Sequence, residues 1–121
     1  MRAKDRTGLI GEQLAADYLT ARGHRLLARR WRSARGELDL ITVHGTELVA
    51  VEVKTRRGTG FGDPLEAVDE QKLRRLHRLL GEYASGRRVP LRERRVDVVG
   101  VLLAGQGEDC VNIEHLQDVR L

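Results

Sequence analysis

Two runs of alternating residues face each other across a short turn near the middle of the chain. Residues 36–54 read Gly-Glu-Leu-Asp-Leu-Ile-Thr-Val-His-Gly-Thr-Glu-Leu-Val-Ala-Val-Glu-Val-Lys. A hairpin closed around His44-Gly45-Thr46 sets Asp39 opposite Glu52 and Glu37 opposite Lys54, and directly opposed residues point to the same side of a sheet. One small patch then carries two carboxylates and an amine. Hard divalent cations take oxygen ligands of this kind, and Mg²⁺ often uses only one or two carboxylates plus a substrate phosphate.

The rest of the chain is read around this hairpin. Its 121 residues are enough for one domain, 1–121, and few for two. Ile10, Leu14 and Tyr18 recur at four-residue spacing, which predicts a helix over 7–21, stopped by Gly23. Residues 24–32 form a first strand, with Leu27, Arg29 and Trp31 alternating against Arg30 and Arg32. Residues 37–43 and 47–55 are the hairpin, and 56–64 a Gly-rich loop. A second helix is expected from Asp63-Pro64, where Asp caps and Pro suits the first turn, to about Ala84. Leu65, Val68, Leu73, Leu76, Leu80 and Tyr83 face inward, and Ser85-Gly86 ends it. Residues 95–103 and 111–116 read as two more strands. Helix, three strands, helix, two strands predicts an α/β sandwich around a mixed sheet.

Aromatic residues are only 3% of the chain, so the core must be aliphatic. The net charge is +4, and of 22 basic residues only Lys4, Lys54 and Lys72 are lysine; the other 19 are arginine. Arginine forks suit phosphate groups, and a basic domain is a nucleic-acid candidate; an arginine-rich host proteome explains the excess equally well. Cys110 is the single cysteine, which excludes an internal disulfide, and its apolar strand-like surroundings predict a buried thiol. The longest apolar run, Val98 to Ala104, is too short to span a bilayer, and the N-terminus lacks the apolar stretch of a signal peptide, so a cytoplasmic protein is expected.

A carboxylate 13 residues before another, followed by one apolar residue and a lysine, is the spacing of a nuclease core. Phosphodiester cleavage needs a metal that holds the scissile phosphate and acidifies a water, acids that hold the metal, and a cation for developing charge. Asp39 and Glu52 can hold a metal, the Val53 carbonyl can add a ligand, and Lys54 stands beside them. Lysine can lose its proton where arginine effectively cannot, so lysine in an arginine-rich chain carries weight. The competing reading is a charged pair on a solvated hairpin face. Against it, both acids lie in apolar runs, where partial burial is costly without a compensating cation. Glu12, in Gly8-Leu9-Ile10-Gly11-Glu12, can complete the acidic cluster or be an ordinary solvent-facing helical residue.

Several segments together are similar to the YraN family of bacterial proteins, itself similar to archaeal Holliday-junction resolvases and to PD-(D/E)XK nucleases. They are Gly8 to Glu12 with Ala15 and Tyr18-Leu19, Gly36 to Ile41, Val51 to Arg56, Phe61-Gly62 with Pro64, Ala67-Val68 and Lys72, and Arg95 to Val99. The resemblance covers nearly the whole chain, although Leu38 stands where the superfamily label has proline. It implies a restriction-endonuclease-like core, a central mixed sheet of about five strands flanked by helices. It further implies Mg²⁺ or Mn²⁺ on Asp39 and Glu52, Lys54 as the catalytic lysine, Glu12 as an accessory acid and Gln71 as a polar site residue. Resolvases act on symmetric junctions, so a homodimer is the assembly it suggests.

Arginines before and after the hairpin supply phosphate contacts in this reading: Arg22, Arg25, Arg29, Arg30, Arg32 and Arg35, then Arg56 and Arg57. A second cluster is Lys72, Arg74, Arg75 and Arg78. A third, Arg87, Arg88, Arg92, Arg94 and Arg95, reads more readily as a solvated face. Such contacts position a substrate and make affinity salt-dependent without reading sequence. With only Tyr18, Trp31, Phe61 and Tyr83 to stack on, and at least two of these core-like, single-strand stacking is a poor mode; duplex or branched DNA fits better. The Gly58-Thr59-Gly60 segment reads equally as a mobile flap or an ordinary connection. Two functions follow: a metal-dependent DNA endonuclease, or a non-catalytic nucleic-acid-binding module with the same fold. An adaptor for an acidic protein or ribosomal RNA is a third.

Overall fold

In the computed structural model, residues 2–58, 66, 68–87 and 93–121 are described. The elements run α1 (Ala3–Ala21), β1 (Arg25–Ser33), β2 (Gly36–His44), β3 (Glu47–Arg57), α2 (Glu70–Arg87), β4 (Glu93–Leu103) and β5 (Cys110–Leu116). The strands form one sheet in the order β1-β2-β3-β4-β5. All neighbours are antiparallel except β3 and β4, which pair in parallel from Glu47–Glu93 to Arg57–Leu103. A parallel pair requires a crossover, and α2 lies in the segment that makes it.

Strand alternation splits the hydrophobic residues between two cores. Leu40, Val49, Val51, Val99, Val101 and Leu103 bury against Ala15, Ala16 and Leu19 of α1. Leu38, Ile41, Leu48, Ala50, Val96 and Val98 bury against Leu73, Leu76, Leu79, Leu80, Tyr83 and Ala84 of α2. The result is three layers with one helix on each face of an aliphatic sheet.

The small side of α1 sets how closely that helix sits. A Cβ placed on Gly11 would run into the Thr55 side chain of β3. Gly11→Ala is therefore expected to destabilise by about 1–3 kcal/mol through overpacking. Thermal denaturation checks this, with the Thr55→Ala double variant recovering part of the loss.

Three expectations need correction. The second helix does not run unbroken to Ala84 from the Asp63-Pro64 start, which lies outside the described residues. Val68 and Asp69 are non-helical, and α2 begins at Glu70 and continues through Ser85-Gly86 to Arg87. Asp69 is its cap: Lys72 N–H donates to Asp69 Oδ1 at 2.7 Å. Cys110 is exposed, because β5 is an edge strand with β4 as its one described partner. Arg95 is buried rather than part of a solvated face. Leu65, Arg88, Arg92, Phe61 and the Thr59-Gly60 part of the proposed flap also lie outside the described residues.

Candidate functional site

The hairpin closes in the expected register, with Leu40–Val51 through His44–Glu47 paired. Below Leu40 the regular strand breaks. Leu38 packs against α2 and Leu40 against α1, although residues two apart in a regular strand share a face. The β1–β2 ladder pairs Arg29 with Leu40 and Trp31 with Leu38, and has no Arg30–Asp39 bridge. Arg30 sits at φ +48°, a strained value for a long side chain. At this irregularity Asp39 turns toward β3, and Val53 N–H donates to its Oδ2 at 2.8 Å. A side chain thus takes a backbone donor where the recorded β2–β3 pairing stops. Glu37, expected opposite Lys54, instead pairs with Arg32 of β1, their charged groups 3.2 Å apart.

Asp39 and Glu52 are hydrogen-bonded to each other. Burial, and after it the adjoining Glu52 carboxylate, pushes Asp39 up to about 9. Burial would also raise Glu52. The hydrogen bond from Asp39 and the Lys72 amine, with Arg75 behind it, outweigh burial and hold Glu52 below the ordinary carboxylate range. Glu52 faces Lys72 Nζ at 2.7 Å, and the two acids titrate together as a pair.

Lys54 and Glu12 line one cleft of about 440 Å³ with Lys4, Thr7, Gly8, Val53, Thr55, Arg56 and Arg57. Glu12 is held by Arg30 Nε at 2.8 Å and adds to the negative field at Asp39. Gln71 is not in that cleft. It lines another, of about 470 Å³, with Arg74, Arg75 and Arg78 on α2. Among the proposed phosphate-contacting residues, Arg56 lines the Lys54 cleft and Arg35 is exposed at the β1–β2 turn. Arg29 donates to Gln13 at 2.7 Å, and Arg32 meets Glu37. Arg57 spends its donors on Thr7, Ala104 and Gly107, which ties β3 to its surroundings.

Lys72 is the residue whose placement is least expected. Its amine stands against Glu52, where a bound cation would otherwise neutralise the carboxylate. Lys72→Met is expected to tighten Mg²⁺ binding about tenfold, the ratio given by removing about 1.4 kcal/mol of competition. Calorimetric titration without nucleic acid measures this.

A second polar cluster lies on the α1 face. Asp97 of β4 is fully buried and accepts four hydrogen bonds: from Arg95 Nε at 2.9 Å, Arg95 Nη2 at 3.2 Å, His115 Nε2 at 2.8 Å and Asp118 N–H at 3.0 Å. Burial opposes its charge, but these donors hold it below the ordinary carboxylate range. Arg95 also reaches Glu47 and His44, each at 2.9 Å. His24 stacks on His44 with ring centres 4.1 Å apart, and burial followed by the neighbouring His44 lowers it to about 4. His24, Asp97 and His115 each offer one ligand atom, all within 4.8 Å of one another, so they can hold a metal ion. Sequence reasoning missed this cluster because residues 24, 97 and 115 share no spacing motif. Its one signal is that three of only four histidines converge there.

A mixed five-stranded sheet between two helices, with carboxylates gathered where the central hairpin splits, is a restriction-endonuclease-like core. Within that class the chain belongs to a specific family: residues 11–101 match the Uncharacterised protein family UPF0102. Similar proteins, each called a UPF0102 protein, include one from Arthrobacter sp. (strain FB24), 46% identical over 98% of this chain and 99% of its own. Another from Paenarthrobacter aurescens (strain TC1) is 45% identical over 98% and 97%, and one from Rhodococcus opacus (strain B4) 46% identical over 92% of each. No helix among the described residues is long and apolar enough to cross a membrane.

Proposed function

We propose that this protein is a metal-dependent endonuclease that hydrolyses phosphodiester bonds in duplex or branched DNA. The observation that carries the reading is the Asp39–Glu52 pair at the split of the hairpin, two carboxylates held by the Val53 N–H and by Lys72. Two like charges so placed are relieved by a proton, by Lys72 or by a divalent cation. The donor set fits Mg²⁺ or Mn²⁺: oxygens only, from Asp39, Glu52 and the Val53 carbonyl. Such an ion, when bound, supplies Lewis acidity toward the phosphate and an acidified water.

The chain's own groups do the rest. The Val53 N–H orients Asp39. Lys54, with Arg56 and Lys4, lines the cleft and offers positive charge to a phosphate there. Glu12, fixed by Arg30, adds an acid to the same cleft. The arginines of α2 form a second basic wall for the backbone of a duplex. Aromatic side chains support duplex over single-strand binding, since Trp31 and Tyr83 pack edge to face at 5.6 Å and Tyr18 is covered by Arg22.

The test is incubation with labelled duplex, flap and four-way-junction DNA in Mg²⁺ or Mn²⁺, beside Asp39→Ala. Cleavage by the parent alone supports the endonuclease and reveals its preferred structure. Binding without cleavage, unchanged in the variant and falling steeply with salt, favours a non-catalytic nucleic-acid-binding module. A homodimer acting in the cytoplasm on paired strands is the assembly this reading carries, and sedimentation with and without junction DNA tests the dimer.

A further inference from the structure

We propose that His24, Asp97 and His115 form a binding site for a borderline transition-metal cation, Zn²⁺ in class, on the face of the sheet opposite the Glu52–Lys72 pair. The three residues come from the α1–β1 connection, β4 and β5, and their ligand atoms lie within 4.8 Å of one another. Two imidazoles and a carboxylate are the donor set of open zinc sites, which keep a fourth position for water. Mg²⁺, which prefers oxygen alone, suits the Asp39–Glu52 pair instead.

Supporting bonds already orient these ligands. His24 Nδ1 meets Thr42 Oγ1 at 2.8 Å, which leaves Nε2 as the nitrogen available to bind. Asp97 is aimed by Arg95 and by the Asp118 N–H. Partners of this kind fix the tautomer and angle of metal ligands. His115 Nε2 stands 2.8 Å from Asp97 Oδ2. Metal bonds of about 2.0–2.1 Å to each need only a small widening of that gap. The cation takes the place of the bridging proton, and the neutral His115 ring then carries its proton on Nδ1. Charge favours it as well. Arg95 is divided between two carboxylates, Asp97 and Glu47, so one guanidinium faces two acids.

The experiment uses the full chain carrying Asp39→Asn and Glu52→Gln, which disables the acid pair and leaves this cluster intact. Calorimetric titration with Zn²⁺ and visible absorption with Co²⁺ are expected to show one equivalent bound, with Mg²⁺ giving no heat. His24→Phe keeps a flat ring against His44 and is expected to weaken Zn²⁺ binding about a hundredfold or more, the upper end of what even a supporting residue costs. His115→Gln retains a donor toward Asp97 and serves if His24→Phe does not fold. The proposal is overturned if the doubly substituted protein binds no Zn²⁺, which includes the case where the parent binds it only at the acid pair. Unchanged affinity in a folded His24→Phe or His115→Gln variant overturns it equally.

Discussion

Asparagine at position 39 is expected to give a protein that is more stable than the parent in the absence of metal and that cleaves DNA about a thousandfold more slowly or not at all. Both effects have one cause. Asp39 is held neutral in the fold, its value raised to about 9 by burial and by Glu52, whereas an unfolded chain ionises it near its ordinary value of 3.8. Between those values the unfolded state carries fewer protons, so raising the pH favours unfolding. The stability this group contributes is whole below about pH 4 and is lost progressively as pH rises toward 9. Asparagine mimics the protonated acid: its oxygen still accepts from Val53 N–H and its amide can donate to Glu52. The substitution should remove the slope and stabilise the metal-free protein at pH 8 by on the order of 1–3 kcal/mol. It should also abolish stabilisation by Mg²⁺ or Mn²⁺, which in the parent amounts to about 2.7 kcal/mol at a hundred times the dissociation constant. Urea titrations at pH 5 and pH 8, with and without metal, check each part. A parent that gains stability from pH 5 to pH 8 without metal would contradict the protonated Asp39.

The largest loss of stability is expected at Asp97. Asp97→Leu leaves the Arg95 guanidinium buried with Glu47 and His44 as its remaining polar partners, and leaves His115 and Asp118 N–H without their acceptor. Removing one partner of a buried ion pair costs about 3–5 kcal/mol. At this chain length that is a fall of roughly 10–25 °C in melting temperature. Replacing both partners is cheaper than replacing one, because no charge is then stranded. Asp97→Leu with Arg95→Met should therefore melt higher than Asp97→Leu alone. Thermal melts in a chelating buffer measure the cycle, and equal melting temperatures for the single and double variants would deny that Arg95 is the stranded group.

The hairpin register was legible because side-chain period and turn length determine it, and the helix periodicity located α1 and the inward face of α2. The split at Asp39 was not legible. It depends on Leu38 and Leu40 entering different cores, a choice made by helices distant in sequence. The Lys72–Glu52 contact was hidden for a related reason: Lys72 read as one cation in a basic helix, and the capped start at Asp69 determines which turn meets β3. Arg95 read as one of a solvated cluster of arginines, and Asp97 as part of the Arg95 to Val99 segment alone. Their burial follows from β4 lying inside the sheet and from the carboxy-terminal tail closing over it, with Val119 N–H on the Val96 carbonyl at 2.8 Å. Cys110 read as apolar from its neighbours, while its exposure is set by the edge position of β5.

The parallel pairing of β3 with β4 has a consequence for the order in which the site assembles. Asp39 and Glu52 meet through one local hairpin, which closes on the microsecond scale. Lys72 and the α2 arginines take their places only when the crossover has formed and β4 has found β3, a slow non-local step. Folding should therefore bring the two acids together before their cation arrives. Glu52→Gln should accelerate folding by relieving that early repulsion, and Lys72→Met should act mainly on unfolding. Stopped-flow chevrons of the two variants separate these limbs, and a folding rate slowed as much by Lys72→Met as by the hairpin substitutions would place α2 in the nucleus instead.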